Sequence, residues 1–189
     1  MCQVRIQTLA LRGSLLLPED MNILNNASHL TNLSLDYCVF KMDEEDYDFS
    51  IFRKLRCLSL TRVFVLAPSF CSALNPSTFS KLSSLEIDLG TDSMKTSWMH
   101  LIKDLTRLEH LKLNSPFSCP LEADEISQLE ALSNLRSLEM ENIRISATQN
   151  LKTHIEKLPQ LESLTCKAVK GTAKVRNAYE EIRREFSKP

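Results

Sequence analysis

Leu108-Glu109-His110-Leu111-Lys112-Leu113 decides how this chain is read, because Leu135-Arg136-Ser137-Leu138-Glu139-Met140 repeats its pattern 27 positions later. Apolar residues stand at the first, fourth and sixth places, and a polar one separates the last two. Working outward, the same pattern occurs at Ile6, Leu9, Leu11; at Leu30, Leu33, Leu35; at Leu55, Leu58, Leu60; and at Leu82, Leu85, Ile87. It closes with Leu161, Leu164, Cys166. The starts at 6, 30, 55, 82, 108, 135 and 161 are 24, 25, 27, 26, 27 and 26 residues apart. Self-similarity at a fixed step of this size marks an array of one supersecondary unit.

Each unit has a physical reading. Alternation at the fourth to sixth places, as in Leu85-Glu86-Ile87 or Leu138-Glu139-Met140, is the period of a short strand with one buried face. About 20 residues then remain to cross back and begin the next parallel strand. Several of these returns carry helical spacing. Met94, Trp98, Leu101, Ile102 and Leu105 form one apolar stripe, Ile126, Leu129 and Leu132 a second, and Leu151, Ile155 and Leu158 a third. Pro18 or Glu19 opens a first return helix near Met21 to Ala27, and Ser146 or Thr148 caps the last. Pro68 and Pro76 break the Ala67–Thr78 return into a short turn or partial helix.

Strand followed by helical return at this step resembles the leucine-rich-repeat family, over about Ile6 to Val169. The resemblance implies an α/β fold: a right-handed solenoid of about seven repeats, with parallel strands on the concave face and helices on the convex face. The step and the thiols are similar to the intracellular repeats of F-box and NOD-like receptor proteins. The family places Asn or Cys at the ninth position, to bond the turn after the strand. Here those places hold Ser14, Cys38, Val63, Gly90, Pro116, Ile143 and Val169, and only Cys38 matches, so irregular turns are expected.

Two parts are expected: a repeat domain over residues 1–171 and a C-terminal helix over 172–189. In that helix Val175, Tyr179, Ile182 and Phe186 share a face, with Arg176, Glu180, Glu181, Arg183 and Arg184 between them. It either covers the open edge of the last repeat, as solenoids require, or lies on a membrane surface, which its mixed charges disfavour. At the other end nothing is available to cap the first strand. That edge is expected to pair with preceding sequence of a longer protein or with another chain.

Composition removes whole classes of chemistry. With 43% hydrophobic and 25% charged residues the 189-residue chain is globular, and its net charge of −1 lacks the basic surplus of a general nucleic-acid binder. No apolar run reaches the roughly 18 residues of a membrane span, and Pro18-Glu19-Asp20 ends the N-terminal leucines without a cleavage site. Neither nucleic acid nor membrane is therefore expected as a partner. Six scattered cysteines without a C-x-x-C pair suit reduced thiols in the cytosol or nucleus, so Asn26-Ala27-Ser28 and Asn32-Leu33-Ser34 read as chance glycosylation matches. His29, His100, His110 and His154 fall in different repeats and pair with no cysteine at ligand spacing, so no metal site is expected. Three glycines leave no phosphate loop, and no cofactor is expected. There is no nucleophile elbow or Cys/His pair, so no catalytic residue is assigned. The acidic run Asp43, Glu44, Glu45, Asp46 lacks the glycine and terminal glutamate of a calcium loop. It reads as a solvated insertion or a docking spot for a basic partner.

What remains is the polar side of the strands. Fifth places read Ala10, Ser34, Ser59, Glu86, Lys112, Glu139, Thr165, and seventh places Arg12, Asp36, Thr61, Asp88, Asn114, Glu141, Lys167. Glu86, Asp88, Glu139 and Glu141 face Lys112, which is expected to sit between Glu86 and Glu139 across strands about 4.8 Å apart. Either this is a charge ladder that keeps the face soluble, or it is a binding surface for a protein with a basic segment. The candidate protein-binding residues are Tyr37, Arg62, Glu86, Asp88, His110, Lys112, Asn114, Glu139, Glu141 and Lys167, with Tyr37 and Arg62 as isolated anchor types at eighth places. The function expected is a non-catalytic protein-interaction module. The alternatives are the substrate-recognition part of an F-box-type ubiquitin ligase adaptor and the sensor end of a NOD-like receptor. Both are suggested by the resemblance alone.

Overall fold

A computed structural model describes residues 5–27, 29–40, 50–65, 76–90, 92–115, 120–145 and 148–167. The expected acidic run at 43–46 and the helix over 172–189 lie outside these residues. Seven strands form one sheet: β1 (Thr8–Arg12), β2 (Asn32–Asp36), β3 (Cys57–Thr61), β4 (Ser84–Asp88), β5 (His110–Asn114), β6 (Ser137–Glu141) and β7 (Ser163–Lys167). Their spatial order is their chain order, and every pairing is parallel. The register follows the repeat, so Leu33, Leu58, Leu85, Leu111, Leu138 and Leu164 stand side by side.

The even step has a cause in the backbone. Leu30, Leu55, Leu82, Leu108, Leu135 and Leu161 each donate their N–H to a carbonyl three residues upstream, at 2.9–3.3 Å. The next two N–H groups of each copy share one carbonyl in the copy before: Gln7, Thr31, Arg56, Ser83, Glu109 and Arg136 accept these pairs at 2.7–3.1 Å. After the strand, the N–H groups of Gly13, Tyr37, Leu89, Ser115 and Asn142 reach the seventh-place carbonyl of the copy that follows, at 2.8–3.1 Å. These recurring fastenings satisfy donors that a buried turn would otherwise orphan; at Arg62 a side chain takes the place of the third.

Among the described residues the turns are of more than one kind: four share a left-handed eighth place, Leu89 and Ser115 do not, and Gly90 takes that conformation at a ninth place. Gly13, Tyr37, Arg62 and Asn142 all occupy the eighth place and all have φ between 52° and 63°. Three of them are not glycine, so the turn imposes the left-handed conformation whether or not the residue favours it. Cys38 takes the role its place implies: it is fully buried, with Sγ 3.6 Å from the carbonyls of Leu11 and Asp36.

Four returns are α-helical: α1 (Pro18–Asn25), α2 (Asp92–Ile102), α3 (Ala123–Gln128) and α4 (Thr148–Ile155). Two start with the same device, a carboxylate at the third helical position that accepts the N–H of the residue before the helix. Asp20 takes the N–H of Leu17 and Glu125 that of Glu122, both at 2.9 Å. Among the described residues, the returns before β3 and β4 show 3-10 turns, Ser50–Lys54 and Pro76–Phe79. There, Phe52 and Phe79 stack with ring centres 5.4 Å apart and both are buried in the core.

The core is one continuous cluster between sheet and returns. Fourth-place leucines from Leu33 to Leu164 are at most 6% exposed. The first copy differs: Ile6, expected in the core, is 47% exposed, and Leu9 and Leu11 are only half-buried.

Candidate binding face

On the other face of the sheet the odd-numbered places of each copy form polar rows. The fifth-place row runs Ala10, Ser34, Ser59, Glu86, Lys112, Glu139, Thr165 in register, as the alternation requires. These side chains bind one another across strands rather than along them. Ser59 donates to Glu86 at 2.9 Å, Lys112 meets Glu86 at 2.7 Å, and Lys167 meets Glu139 at 2.6 Å. Lys112 therefore does not bridge Glu86 and Glu139. Its second carboxylate is Glu141, one row over at 3.9 Å, because Lys167 already holds Glu139. The bond to Glu86 raises the Lys112 ammonium above its ordinary pKa against partial burial, with the charges of Glu86, Glu139 and Glu141 adding to it.

Tyr37 and Arg62 are not isolated. The Arg62 guanidinium lies 4.1 Å over the Tyr37 ring, and donates to Asp36 from Nε at 2.9 Å and from Nη2 at 2.6 Å. Thr61 donates to the same carboxylate at 3.0 Å, and Arg12 approaches it at 3.2 Å. Partial burial pushes the Asp36 carboxyl up, but the Arg62 and Thr61 bonds and the two arginine charges overcome it and hold the pKa below the ordinary value. The shared left-handed turn of Tyr37 and Arg62 brings the two together, since it places consecutive eighth-place side chains one strand apart. Spacing alone held that signal: 37 and 62 are 25 residues apart, one repeat step.

Asp88 joins the two halves of the face. Where other copies tie the eighth-place N–H to a backbone carbonyl, the N–H of Arg62 binds the Asp88 carboxylate at 2.5 Å. Asn114 donates to the other carboxylate oxygen at 2.6 Å, and Asn142 in turn donates to Asn114 at 3.1 Å. Burial raises the Asp88 pKa more than these bonds lower it, and Glu86 beside it adds to the rise. His110 stands at the exposed start of β5, in register with Ser84 and Ser137. It lies two places from Lys112 in its own strand and joins none of the ion pairs above.

The charge on this face is divided. Along β4 to β7, the carboxylates of Glu86, Asp88, Glu139 and Glu141 outnumber Lys112 and Lys167 by two. At the β1–β3 end, Arg12 and Arg62 outnumber Asp36 by one. A depression of about 520 Å³ opens elsewhere, at the loops entering β4 and β5 between Pro76, Phe79, Leu82 and Asp104, Leu105, Arg107. No histidine or cysteine lines it. Among the described residues no three metal-ligating side chains converge, and Cys38, Cys57 and Cys166 are free thiols.

The returns hold charge that the sequence did not disclose. Lys95 of α2 and Glu125 of α3 form an ion pair at 3.0 Å with side chains only 5% and 8% exposed, and Lys95 also donates to the carbonyl of Pro120 at 2.5 Å. Further along, Glu130 accepts from His154 and from Lys157, the latter at 2.9 Å, and these bonds lower its pKa.

An in-register parallel sheet, strand-and-return units and one apolar spine define an α/β solenoid of the leucine-rich-repeat fold. Solved structures agree. Internalin C2 from Listeria monocytogenes is similar over 92% of this chain and 77% of that one, with 17% identity and a TM-score of 0.51. TLR13, crystallised in complex with ssRNA13, is similar over 89% of this chain and 30% of that one, with 14% identity and a TM-score of 0.52. No protein-family model matches the chain, and no curated protein matches it by sequence. TLR13 forms a complex with an RNA, which does not agree with the expectation that nucleic acid is excluded, and that expectation is withdrawn. These two structures, an internalin and TLR13, do not single out the F-box or NOD-like subclass.

Proposed function

We propose that the chain is a non-catalytic protein-interaction module that takes a basic segment of its partner across the polar face of β4 to β7. One observation carries this reading: four carboxylates on adjoining strands exceed the lysines among them, and partial burial holds one of them, Asp88, above its ordinary pKa. An incoming cation relieves that cost, and surplus charge of one sign steers a partner of the other. The binding residues are Glu86, Asp88, Glu139 and Glu141, with Lys112 and Lys167 fixing the carboxylates and Asn114 orienting Asp88. Tyr37, Arg62 and His110 flank the patch as exposed contacts. A rigid, broad surface suits recognition better than chemistry, which needs a site closed to water.

The free thiols and the 24–27-residue step favour an intracellular setting, cytosolic or nuclear, over an exported one. Within that setting the F-box adaptor and NOD-like sensor are finer forms of the same reading. Co-purification with ligase adaptor subunits distinguishes the first from the second.

The test is fluorescence anisotropy with a labelled lysine/arginine-rich peptide, a charge-reversed peptide and a single-stranded RNA. The basic peptide binds, more weakly as salt rises, and Glu139→Lys weakens it roughly tenfold or more with an unchanged circular dichroism spectrum. Equal affinity for the variant, or tighter binding of the RNA or the acidic peptide, overturns the reading.

A further inference from the structure

On the polar face of the sheet the arginines and lysines are held by carboxylates: Arg12 and Arg62 by Asp36, Lys112 by Glu86 and Lys167 by Glu139. The segments that enter the strands differ. Arg53, Lys54 and Arg56 before β3, Lys81 before β4, and Lys103 and Arg107 before β5 have no ion-pair partner among the described residues. Only two carboxylates, Asp104 and Glu109, share residues 50–56, 76–83 and 102–109 with these six cations. The surplus stops at β6. In residues 129–136 and 155–162, Glu130, Glu156 and Glu162 outnumber Arg136 and Lys157, and both cations there are paired. Copies three to five stand inside the array with a copy on either side, so this surface does not depend on an end of the chain.

The repeat sets the cations in a row. Lys54, Lys81 and Arg107 each directly precede a first-place leucine and lie 27 and 26 residues apart. The leucines are at most 1% exposed, while the three cations before them are exposed to solvent. The N–H groups that bind the carbonyls of Arg56 and Ser83 hold the three entry segments side by side. Like charges one strand apart repel, and with no carboxylate among them that repulsion is left for a partner to relieve.

The 520 Å³ depression opens within this row. It falls where the return layer changes from the 3-10 turn Pro76–Phe79 to helix α2, whose exit runs through Asp104 and Leu105. Phe79, Leu82 and Leu105 are buried and form its base, whereas Lys81, Asp104 and Arg107 are exposed and form its rim. An apolar base takes a side chain out of water, and a charged rim selects what stands beside that side chain. The rim fits carboxylates, and the base fits a bulky aliphatic or aromatic group among them. Nucleic acid would meet the same charge, but single strands hold their bases on exposed rings. Phe79 is the one ring that lines the depression, and it is 2% exposed.

We propose that the segments entering β3, β4 and β5 form a docking surface for an acidic protein segment, one bulky apolar side chain of which enters the depression between Lys81 and Arg107. This surface lies off the polar strand face and takes the opposite charge, so it stands or falls apart from the function proposed above.

Fluorescence anisotropy on the full chain tests it, with three labelled probes of equal negative charge. They are an aspartate/glutamate peptide with one central phenylalanine, the same peptide with alanine in that place, and a single-stranded RNA. The phenylalanine peptide binds, less tightly as salt rises, and the alanine peptide is weaker by roughly tenfold or more. Lys81→Glu together with Arg107→Glu weakens the phenylalanine peptide by roughly tenfold or more, with an unchanged circular dichroism spectrum. Arg144→Glu, at an exposed arginine beyond the end of β6, changes it by less than about twofold, and Glu139→Lys on the polar face does not weaken it. The comparison of the two peptides uses the unaltered chain and is independent of how any variant folds. Failure of the phenylalanine peptide to bind overturns the proposal, as does equal affinity for the alanine peptide. So does an equal loss in Arg144→Glu, which marks bulk attraction, or tighter binding of the RNA, which marks a phosphate backbone as the partner.

Discussion

Two lysine–carboxylate pairs in this molecule have similar geometry and different surroundings. Lys112 meets Glu86 at 2.7 Å on the polar face, with both side chains 33% exposed, whereas Lys95 meets Glu125 at 3.0 Å between α2 and α3 with both almost fully buried. The shorter pair is the one that costs less to break. Water screens the first and remains available to either partner once the other is gone. In the second, each charge has given up its hydration, and removing one leaves the other buried without its ionic partner.

Breaking this contrast at its strong end gives the largest expected effect. Glu125→Ala takes the carboxylate away from the buried Lys95 ammonium and removes the acceptor that Glu125 offers to the N–H of Glu122. Urea unfolding is expected to show a loss of about 3–5 kcal/mol, while replacing both partners together, Lys95→Met with Glu125→Leu, recovers most of it. Next comes the apolar spine beneath both pairs. Leu111 is 2% exposed at the centre of the sheet, and Leu111→Ala costs about 2–5 kcal/mol through the cavity it leaves. The weak end sharpens the contrast. Lys112→Ala changes unfolding free energy by less than about 1 kcal/mol, since its partners are partly solvated. A larger loss there would mean that the polar face is structural rather than open for recognition.

The same contrast marks what the sequence could tell. The strands, their parallel order and their register were legible because the period repeats in one dimension, and a fourth-place leucine has one place to go. The α-helical returns were legible where Trp98, Ile126 or Ile155 kept helical spacing. Lys95–Glu125 was not legible: on helices of different repeats, 30 residues apart, the two look like ordinary surface charges until the packing of α2 on α3 encloses them. On the polar face the rows were legible and their pairings were not. Register says that Lys112 neighbours Glu86 and Glu139, but side-chain reach and competition from Lys167 decide which carboxylate it takes. Likewise the left-handed turn that joins Tyr37 to Arg62 is a backbone property, invisible in residue types that do not favour it.

The recurring backbone fastenings, with the Arg62–Asp88 bond standing in for one of them, reach only the copies on either side. The molecule therefore resembles links of chain mail more than a globule: excising one whole period leaves every surviving link with a neighbour of the kind it had before. Array length can be trimmed or extended in whole links without redesigning any of them, whereas a deletion of a few residues inside a link puts its fastenings out of step at once.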